Sequence, residues 1–369
     1  MKEHGIPDNV IPLPVRDTQP VGQTAEVKRH IETVRLGILG CSGIVPRAVL
    51  EPAVYVPNLE VTAAANRTLS KAQHMGEQYG IPIIHDTLDE LLNNSELDAI
   101  YIGLSNQLHA GWIEKALRAR KHVLVEKPIA LDAAELPILS AAAEQYGVHL
   151  AEAMMVAHHP WQQALRQLIF SGEFGALLRT ETRLSIPARD GHQDNYRSDP
   201  QQGGGCLWDL GCYWLQFLQL FTRLDQAELE GRSQFDGPNG CDWTFHAQAT
   251  LRDGVQAEAF LSFEQPYACR HVLHFEQATL TINDFFRCNL GFYKMKFKIV
   301  PVRRSGVENE VQQRIFEPAN YYVNQLHTFV RDVQQHQPGQ PNEPLAEAID
   351  RIQALNTLYR SAKTHMAFF

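Results

Sequence analysis

Between residues 33 and 153, short apolar runs alternate with amphipathic stretches, and few folds accommodate that order. "TVRLGIL", "LEVTAAA", "LDAIYIGL", "KHVLVEK" and "VHLAEAMM" read as strands. The stretches between them, "VPRAVLEPAVY", "SKAQHMGEQYG", "TLDELLNN", "QLHAGWIEKALRAR" and "DAAELPILSAAAEQYG", read as helices. Pro46 stands in the first turn of the first helix, where a missing N–H costs little. Gly80 closes the second, and Thr87 with Glu90 three residues on makes a capping box at the third. Strands and helices alternating over this length specify a parallel, doubly wound sheet.

After about residue 155 the texture changes. One helix, "HPWQQALRQLIFSGEFG", leads into longer strands: "ALLRTETRLSIPA", "TFHAQATL", "GVQAEAFLSFE", "HVLHFEQATLTI" and "FYKMKFKIV". Their alternation predicts a largely antiparallel sheet with one polar face. Helices over about 319–335 and 343–365 close the chain. The expected organisation is an extended arm over 1–32, an α/β Rossmann domain over 33–153, and an α+β domain over 154–369 whose last helices pack back on the first domain. No internal repeat or low-complexity segment interrupts this plan.

Composition narrows the function classes. The chain carries 33 basic and 42 acidic residues, a net charge of −9, and no basic stripe, which argues against nucleic acid as a partner. No apolar run reaches membrane-spanning length, and the N-terminus lacks the apolar core of a secretory signal. Cys41, Cys206, Cys212, Cys241, Cys269 and Cys288 form no CxxC pair, so reduced thiols in a cytoplasmic protein are expected.

The first strand runs into "GILGCSGIVPR". A dinucleotide-binding turn places small residues at three positions, here Gly40, Ser42 and Val45, so the third departs from the pattern. Gly40, Ser42, Gly43 and Ile44 are the candidate phosphate cradle, ahead of a helix N-terminus that offers N–H groups. The second strand ends in "AAANRTLSKA" without an acid for a ribose 2′-hydroxyl. Asn66, Arg67 and Lys71 stand there instead, and an arginine suits a 2′-phosphate, which favours NADP(H) over NAD(H). The alternative is a solvated basic start to a helix.

"GGGCLWDLGCYW" at 203–214 poses a different question: a nearly all-apolar helix carries Asp209 and Tyr213 four residues apart, on one face. A buried carboxylate is costly unless paired, so Asp209 is expected to face a cation across a polar pocket, with Tyr213 pointing into the same pocket. The three glycines are expected to let backbone approach substrate or cofactor. The alternative is a satisfied core aspartate beside a packing tyrosine.

"VEKP" at 125–128, "GLSNQLHAGWIEKALRARKHVLVEKPIAL", "MMVAHHP" and "NYRSDPQQGGGCLWDLGCYW" together resemble the glucose–fructose oxidoreductase / inositol dehydrogenase / rhizopine catabolism family over residues 34–365. Within it, the chain is most similar to sugar ketoreductases of nucleotide-linked deoxysugars and to dihydrodiol and xylose dehydrogenases. The resemblance implies a Rossmann domain followed by an open-sheet domain, an active site where they meet, Lys127 beside the nicotinamide, and a frequently cis peptide before Pro128. It implies further cofactor contacts at Leu104, Asn106, His109 and Glu126. It also implies a homo-oligomer, a dimer or tetramer paired through the open sheet face.

The implied chemistry is hydride transfer between a nicotinamide and a secondary alcohol or ketone of a sugar or sugar-like ring. Tyr213 would give the proton in reduction, Lys127 would lower the phenol's pKa from about 10, and Asp209 would orient Lys127 or bind a neighbouring hydroxyl. Many members carry histidine at the position of Tyr213, and the tyrosine favours ketone reduction over polyol oxidation. His158 and His159 point in different directions, so one contacts substrate or both cap and pack. Arg197 binds a substrate phosphate or hydroxyl, or makes a surface ion pair. Tyr322 and Gln325 are further pocket candidates, with the loop over 188–202 shaping the pocket. No third ligand stands at metal-site spacing. Three rival readings remain: an NAD-dependent glycoside hydrolase acting by transient oxidation, a non-catalytic dinucleotide-binding regulator, and a biosynthetic oxidoreductase with a non-sugar cyclic substrate such as a dihydrodiol.

Overall fold

The computed structural model describes residues 31–188, 195–302, 310–337 and 343–366, so most of the expected arm lies outside the described residues. The first sheet is six-stranded and parallel throughout: β1 (Val34–Leu39), β2 (Leu59–Ala65), β3 (Ile83–His85), β4 (Ala99–Ile102), β5 (His122–Glu126) and β6 (Leu150–Ala153), in the order β3-β2-β1-β4-β5-β6. β4 is buried along its whole length, as a sheet covered on both faces requires. The coverings are α1 (Glu51–Ala53), α2 (Leu69–Tyr79), α3 (Leu88–Asn93), α4 (His109–Arg118) and α5 (Glu135–Tyr146). The strand order reverses direction between β1 and β4, which opens a crevice outside their carboxyl ends.

The second sheet follows α6 (Pro160–Ser171). It comprises β7 (Leu177–Ser185), β8 (Glu228–Arg232), β9 (Thr244–Thr250), β10 (Gln256–Ser262), β11 (Ala268–Phe275), β12 (Ala278–Asn283), β13 (Lys296–Pro301) and β14 (Gln312–Ile315), in the order β14-β13-β12-β11-β7-β10-β9-β8. Every pairing is antiparallel except β10 with β7. Burial alternates along β9 and β13, leaving one face polar. The buried face packs on α6, α7 (Cys212–Gln219) and, of the closing helices α8 (Tyr321–Gln335) and α9 (Glu343–Met366), on α9.

Local chemistry accounts for most boundaries. Gly80, Gly147 and Gly172 end their helices in the left-handed conformation. The Thr87 hydroxyl accepts from the Glu90 N–H at 3.1 Å, while the Glu90 carboxylate accepts from Asp86, one residue outside the expected box. Three expectations need correction. "HVLHFEQATLTI" is two strands joined by a turn at Glu276–Gln277, because the main chain reverses there to pair β11 with β12. β3 is only three residues long, and β8 and β14 carry too few apolar residues to show in the pattern; all three pair with longer neighbours. The first helix begins as a π turn over Pro46–Leu50, behind a Val45 that is wholly buried.

α8 and α9 lie against elements of the first sheet. In α9, Asn356 donates to the Leu131 carbonyl at 2.8 Å, and Arg351 pairs with Glu152 of β6. Among the described residues no helix is long and apolar enough to cross a membrane, and no cluster of three His, Cys, Asp or Glu side chains is placed to hold a metal ion.

Two buried histidines tie stability to pH. His271 lies stacked between Phe217 and Phe285, at ring-centre distances of 4.0 and 4.5 Å, and burial lowers its pKa to about 3. Burial, with His336 and His149 nearby, also lowers His122 to about 3. An unfolded histidine titrates near 6.5, so between about pH 3 and 6.5 the unfolded chain binds the extra protons. Stability is therefore complete above about pH 7 and falls on acidification, at about 1.4 kcal/mol per pH unit for each group. Thermal melts at descending pH should show this slope, and a His271→Gln chain a shallower one; parallel slopes would refute the assignment.

Candidate active site

Lys127 projects from the end of β5 into the crevice, after a Glu126 that accepts the Tyr101 hydroxyl at 2.5 Å. The Lys127–Pro128 peptide is cis. Across from it, the chain passes through a π turn over Leu207–Gly211 and continues as α7, and such turns recur at functional sites. The turn carries Asp209 to Lys127: Nζ donates to the Asp209 carboxylate Oδ1 and to the Asp209 backbone oxygen, both at 2.8 Å. Arg197 closes the other side, its Nε donating to Asp209 Oδ2 at 2.9 Å. Asp209 is thus clamped between two cations, with its side chain 13% exposed.

The electrostatics follow from burial against charge. Burial pushes the Asp209 carboxyl up, but Arg197 and Lys127 outweigh it and hold the carboxyl well below its usual range. For Lys127, burial favours the neutral amine, yet Asp209 wins and keeps the ammonium well above its ordinary pKa. The Lys127 Nζ lies 4.9 Å from the centre of the Tyr213 ring, whose edge meets Phe286. The ammonium pulls the Tyr213 phenol down, but burial is larger and the phenol lies well above 10. This corrects the expected direction: at neutral pH the site holds a protonated phenol beside an ammonium.

Several other expectations change once the packing is known. The glycine run does not clear space for a ligand; protein fills that space. A Cβ on Gly203 would stand 2.5 Å from Leu131, and one on Gly204 2.6–2.7 Å from the carbonyl oxygens of Tyr196, Arg197 and Asp199. Asn106 is buried and donates to the Gly203 carbonyl at 3.0 Å, so it braces the glycine run. His109 is fully buried with one ring nitrogen 2.7 Å from the Pro128 carbonyl and the other 3.1 Å from the Leu104 carbonyl, so neither ring nitrogen is left for a ligand. Arg197 pairs with Asp209 through Nε and Nη2, inside the site rather than with a surface carboxylate. His159 caps α6, its Nδ1 accepting from the Trp161 N–H, and burial lowers it to about 4. His158 is likewise lowered to about 4 by burial, near Asp332 and Arg331.

Tyr322 on α8 faces Arg47 and lies near Glu126, and burial raises it to about 12. Gln325, one turn further along, is 1% exposed with no hydrogen-bond partner for either amide atom among the described residues. The sequence reading missed Tyr101, Tyr196 and Arg47. Tyr101 had a signal, a phenol inside an otherwise apolar strand. Tyr196 and Arg47 had none, because they reach the crevice from a short turn and from the helix after the first loop.

The residues of that first loop fit a dinucleotide. Gly40 adopts φ +97°, and a Cβ there would stand 2.8 Å from the Gly103 carbonyl oxygen, so only glycine makes the turn. The Asn66 side-chain oxygen accepts the Cys41 N–H at 3.0 Å and holds the loop. The Ser42 hydroxyl is buried without a partner among the described residues, and a Cβ on Gly43 would meet nothing within 4 Å. A polar atom awaiting a partner beside open space suits a phosphate oxygen. Arg67 and Lys71 stand exposed at the end of β2, and neither makes an ion pair among the described residues.

Comparison with known proteins agrees with this arrangement. Residues 34–154 match the family described as "Oxidoreductase family, NAD-binding Rossmann fold", and residues 162–281 match the "GFO/IDH/MocA C-terminal domain". The chain is 34% identical over 260 residues to a dTDP-3,4-didehydro-2,6-dideoxy-alpha-D-glucose 3-reductase of Streptomyces violaceoruber, spanning 69% of this chain and 75% of the relative. It is 29% identical to a D-xylose 1-dehydrogenase (NADP(+)) 2 of Haloferax volcanii, over 90% of this chain and 98% of the relative. Among solved structures, a 3-ketoreductase from Actinomadura kijaniata in complex with TDP-benzene and NADP superposes with a TM-score of 0.77 at 25% identity, covering 89% of this chain and 98% of that one. Both sheets, the lysine at the end of β5 and the matches across both halves lead to one assignment: the chain is an oxidoreductase of the GFO/IDH/MocA family.

Proposed function

We propose that the chain is an NADP(H)-dependent reductase of a ketone on a sugar or sugar-like ring. The observation that carries this reading is the Lys127–Asp209–Arg197 clamp facing a protonated Tyr213 at the carboxyl end of β5. NADPH supplies the hydride when bound. Ser42 and the loop amides would hold its pyrophosphate, and Arg67 with Lys71 its 2′-phosphate. Lys127 spends two of its three N–H donors on Asp209 and keeps one for the substrate oxygen. That remaining donor stabilises the negative charge that develops on the oxygen. Tyr213, kept protonated by burial, gives the proton that makes the alcohol. The Streptomyces violaceoruber, Haloferax volcanii and Actinomadura kijaniata relatives, named for sugar reduction or oxidation and two of them for NADP, support the substrate class and the cofactor.

The test pairs a fluorescence titration with NADPH and NADH against turnover of keto sugars by the native chain and by Tyr213→Phe. Tight, exchangeable NADPH binding is expected, with kcat lower by about 10²-fold or more in the variant and NADPH affinity unchanged. A chain purified with NAD⁺ that does not exchange would favour the transient-oxidation hydrolase. Binding of neither dinucleotide would overturn the reading. Full activity in Tyr213→Phe would move the proton donor to Lys127.

A further inference from the structure

A second carboxylate supports the turn that carries Asp209, and nothing in the reaction above uses it. Asp242, two residues before β9, is wholly buried. Its backbone oxygen accepts the Cys206 N–H at 2.7 Å, and its Oδ2 accepts the Leu207 N–H at 2.7 Å and the Cys206 thiol at 3.4 Å. Its Oδ1 has no partner among the described residues. That oxygen presses on Gly205, which adopts φ +103°: a Cβ there would stand 2.0 Å from Oδ1. The Gly203–Asp209 segment is therefore set from two sides. The Tyr196–Asp199 turn holds it through Gly204 and Gly205, whose N–H groups donate to Asp199 and Arg197 carbonyls at 2.9 Å, and Asp242 holds it through Cys206 and Leu207.

We propose that Asp242 is a positioning residue for Asp209: in its neutral form it fixes the Gly205–Leu207 backbone, and on ionising it disturbs that backbone and the Lys127–Asp209 contact. The proposal rests on the reductase reading for its kinetic consequence. No hydrogen bond reaches Oδ1 among the described residues, so an anion there would draw a donor from the turn or from water. Burial pushes the carboxyl up to about 7, with the Leu207 N–H, the Cys206 thiol and the Asp242 N–H pulling back, so the change falls in the physiological range. The other groups that act on this pocket are Cys206 from the turn, Cys241 beside Asp242 with Asp199 acting on it, and Tyr359 and Lys363 from α9. Lys363 is the one cation among them; it favours the ionised form, and burial outweighs it.

The experiment compares the native chain with Asp242→Asn and Asp242→Ala from about pH 5.5 to 9, reading kcat, KM and tryptophan emission, to which Trp208 in the turn contributes. Asparagine keeps an acceptor for Leu207 and cannot ionise. In the native chain kcat and emission should both change with a midpoint near 7. Asp242→Asn should keep kcat within about threefold at low pH and lose both changes, while Asp242→Ala should lose about tenfold or more in kcat with KM for NADPH unchanged. An emission step that persists in Asp242→Asn, or is missing from the native chain, overturns the proposal whatever the turnover. So does a parallel loss of kcat and melting temperature in both variants, which would mark a purely structural role. A native emission step that asparagine removes, in a chain that turns over no keto sugar, leaves this proposal standing and fails the reductase reading instead.

Discussion

Replacing Lys127 by methionine is expected to lower kcat about 10³-fold or more, with NADPH affinity nearly unchanged. The lysine is held at both of the Asp209 oxygens it reaches, at 2.8 Å each, so its remaining N–H points where geometry rather than diffusion decides. Methionine removes that donor and also removes one of the two cations that keep Asp209 ionised. Arg197 alone then faces the carboxylate, and the Asp209 pKa rises. Steady-state kinetics beside a fluorescence titration separates the two effects. Lys127→Arg should not restore activity, because a planar fork cannot reproduce a point donor wedged between a carboxylate and a phenol ring. Turnover within tenfold of the native value in Lys127→Met would remove the lysine from the chemistry.

Replacing Arg351 by methionine is expected to destabilise the fold by about 3–5 kcal/mol. The Arg351 and Glu152 side chains are 4% and 3% exposed, with Arg351 Nη2 at 2.5 Å from Glu152 Oε2 and Nη1 at 2.6 Å from the Gln219 side chain. The other Glu152 oxygen accepts the Ile129 N–H at 2.9 Å, two residues after Lys127. One arginine therefore joins β6, α7 and α9 behind both halves of the site. Losing it strands a buried carboxylate, and the cost of that stranded charge dominates the effect. Denaturant or thermal unfolding measures the loss. The double variant Glu152→Gln/Arg351→Met should be the more stable of the two, since no unpaired charge remains; if it is the less stable, desolvation is not the cause.

Much of this was legible in the chain. The parallel sheet followed from strand and helix periods alternating over residues 33–153, because a parallel pair needs a crossover and a helix of that length supplies one. The cation facing Asp209 followed from the cost of burying a charge in a helix as apolar as 207–218. The strands without a pattern of their own, β3, β8 and β14, were not legible, since their existence depends on a neighbour's edge. The glycine run was misread for the same kind of reason. A sequence shows that backbone is free to approach something, but not whether that something is a ligand or, as here, Leu131, three carbonyls and Asp242.

By itself the sequence determined the fold class and the family and pointed to Lys127, Asp209 and Tyr213 as a cluster, though not to Tyr101, Tyr196 or Arg47, because period, capping and charge burial are local or one-body properties. Only the tertiary structure decided how those groups share their bonds. It drew Arg197 onto Asp209, used up both nitrogens of His109, kept the Tyr213 phenol protonated and set Asp242 against Gly205. The physical reason is that a pKa or a free donor is a balance of burial against neighbours. The two cations that hold Asp209 lie 12 and 82 residues from it in the chain.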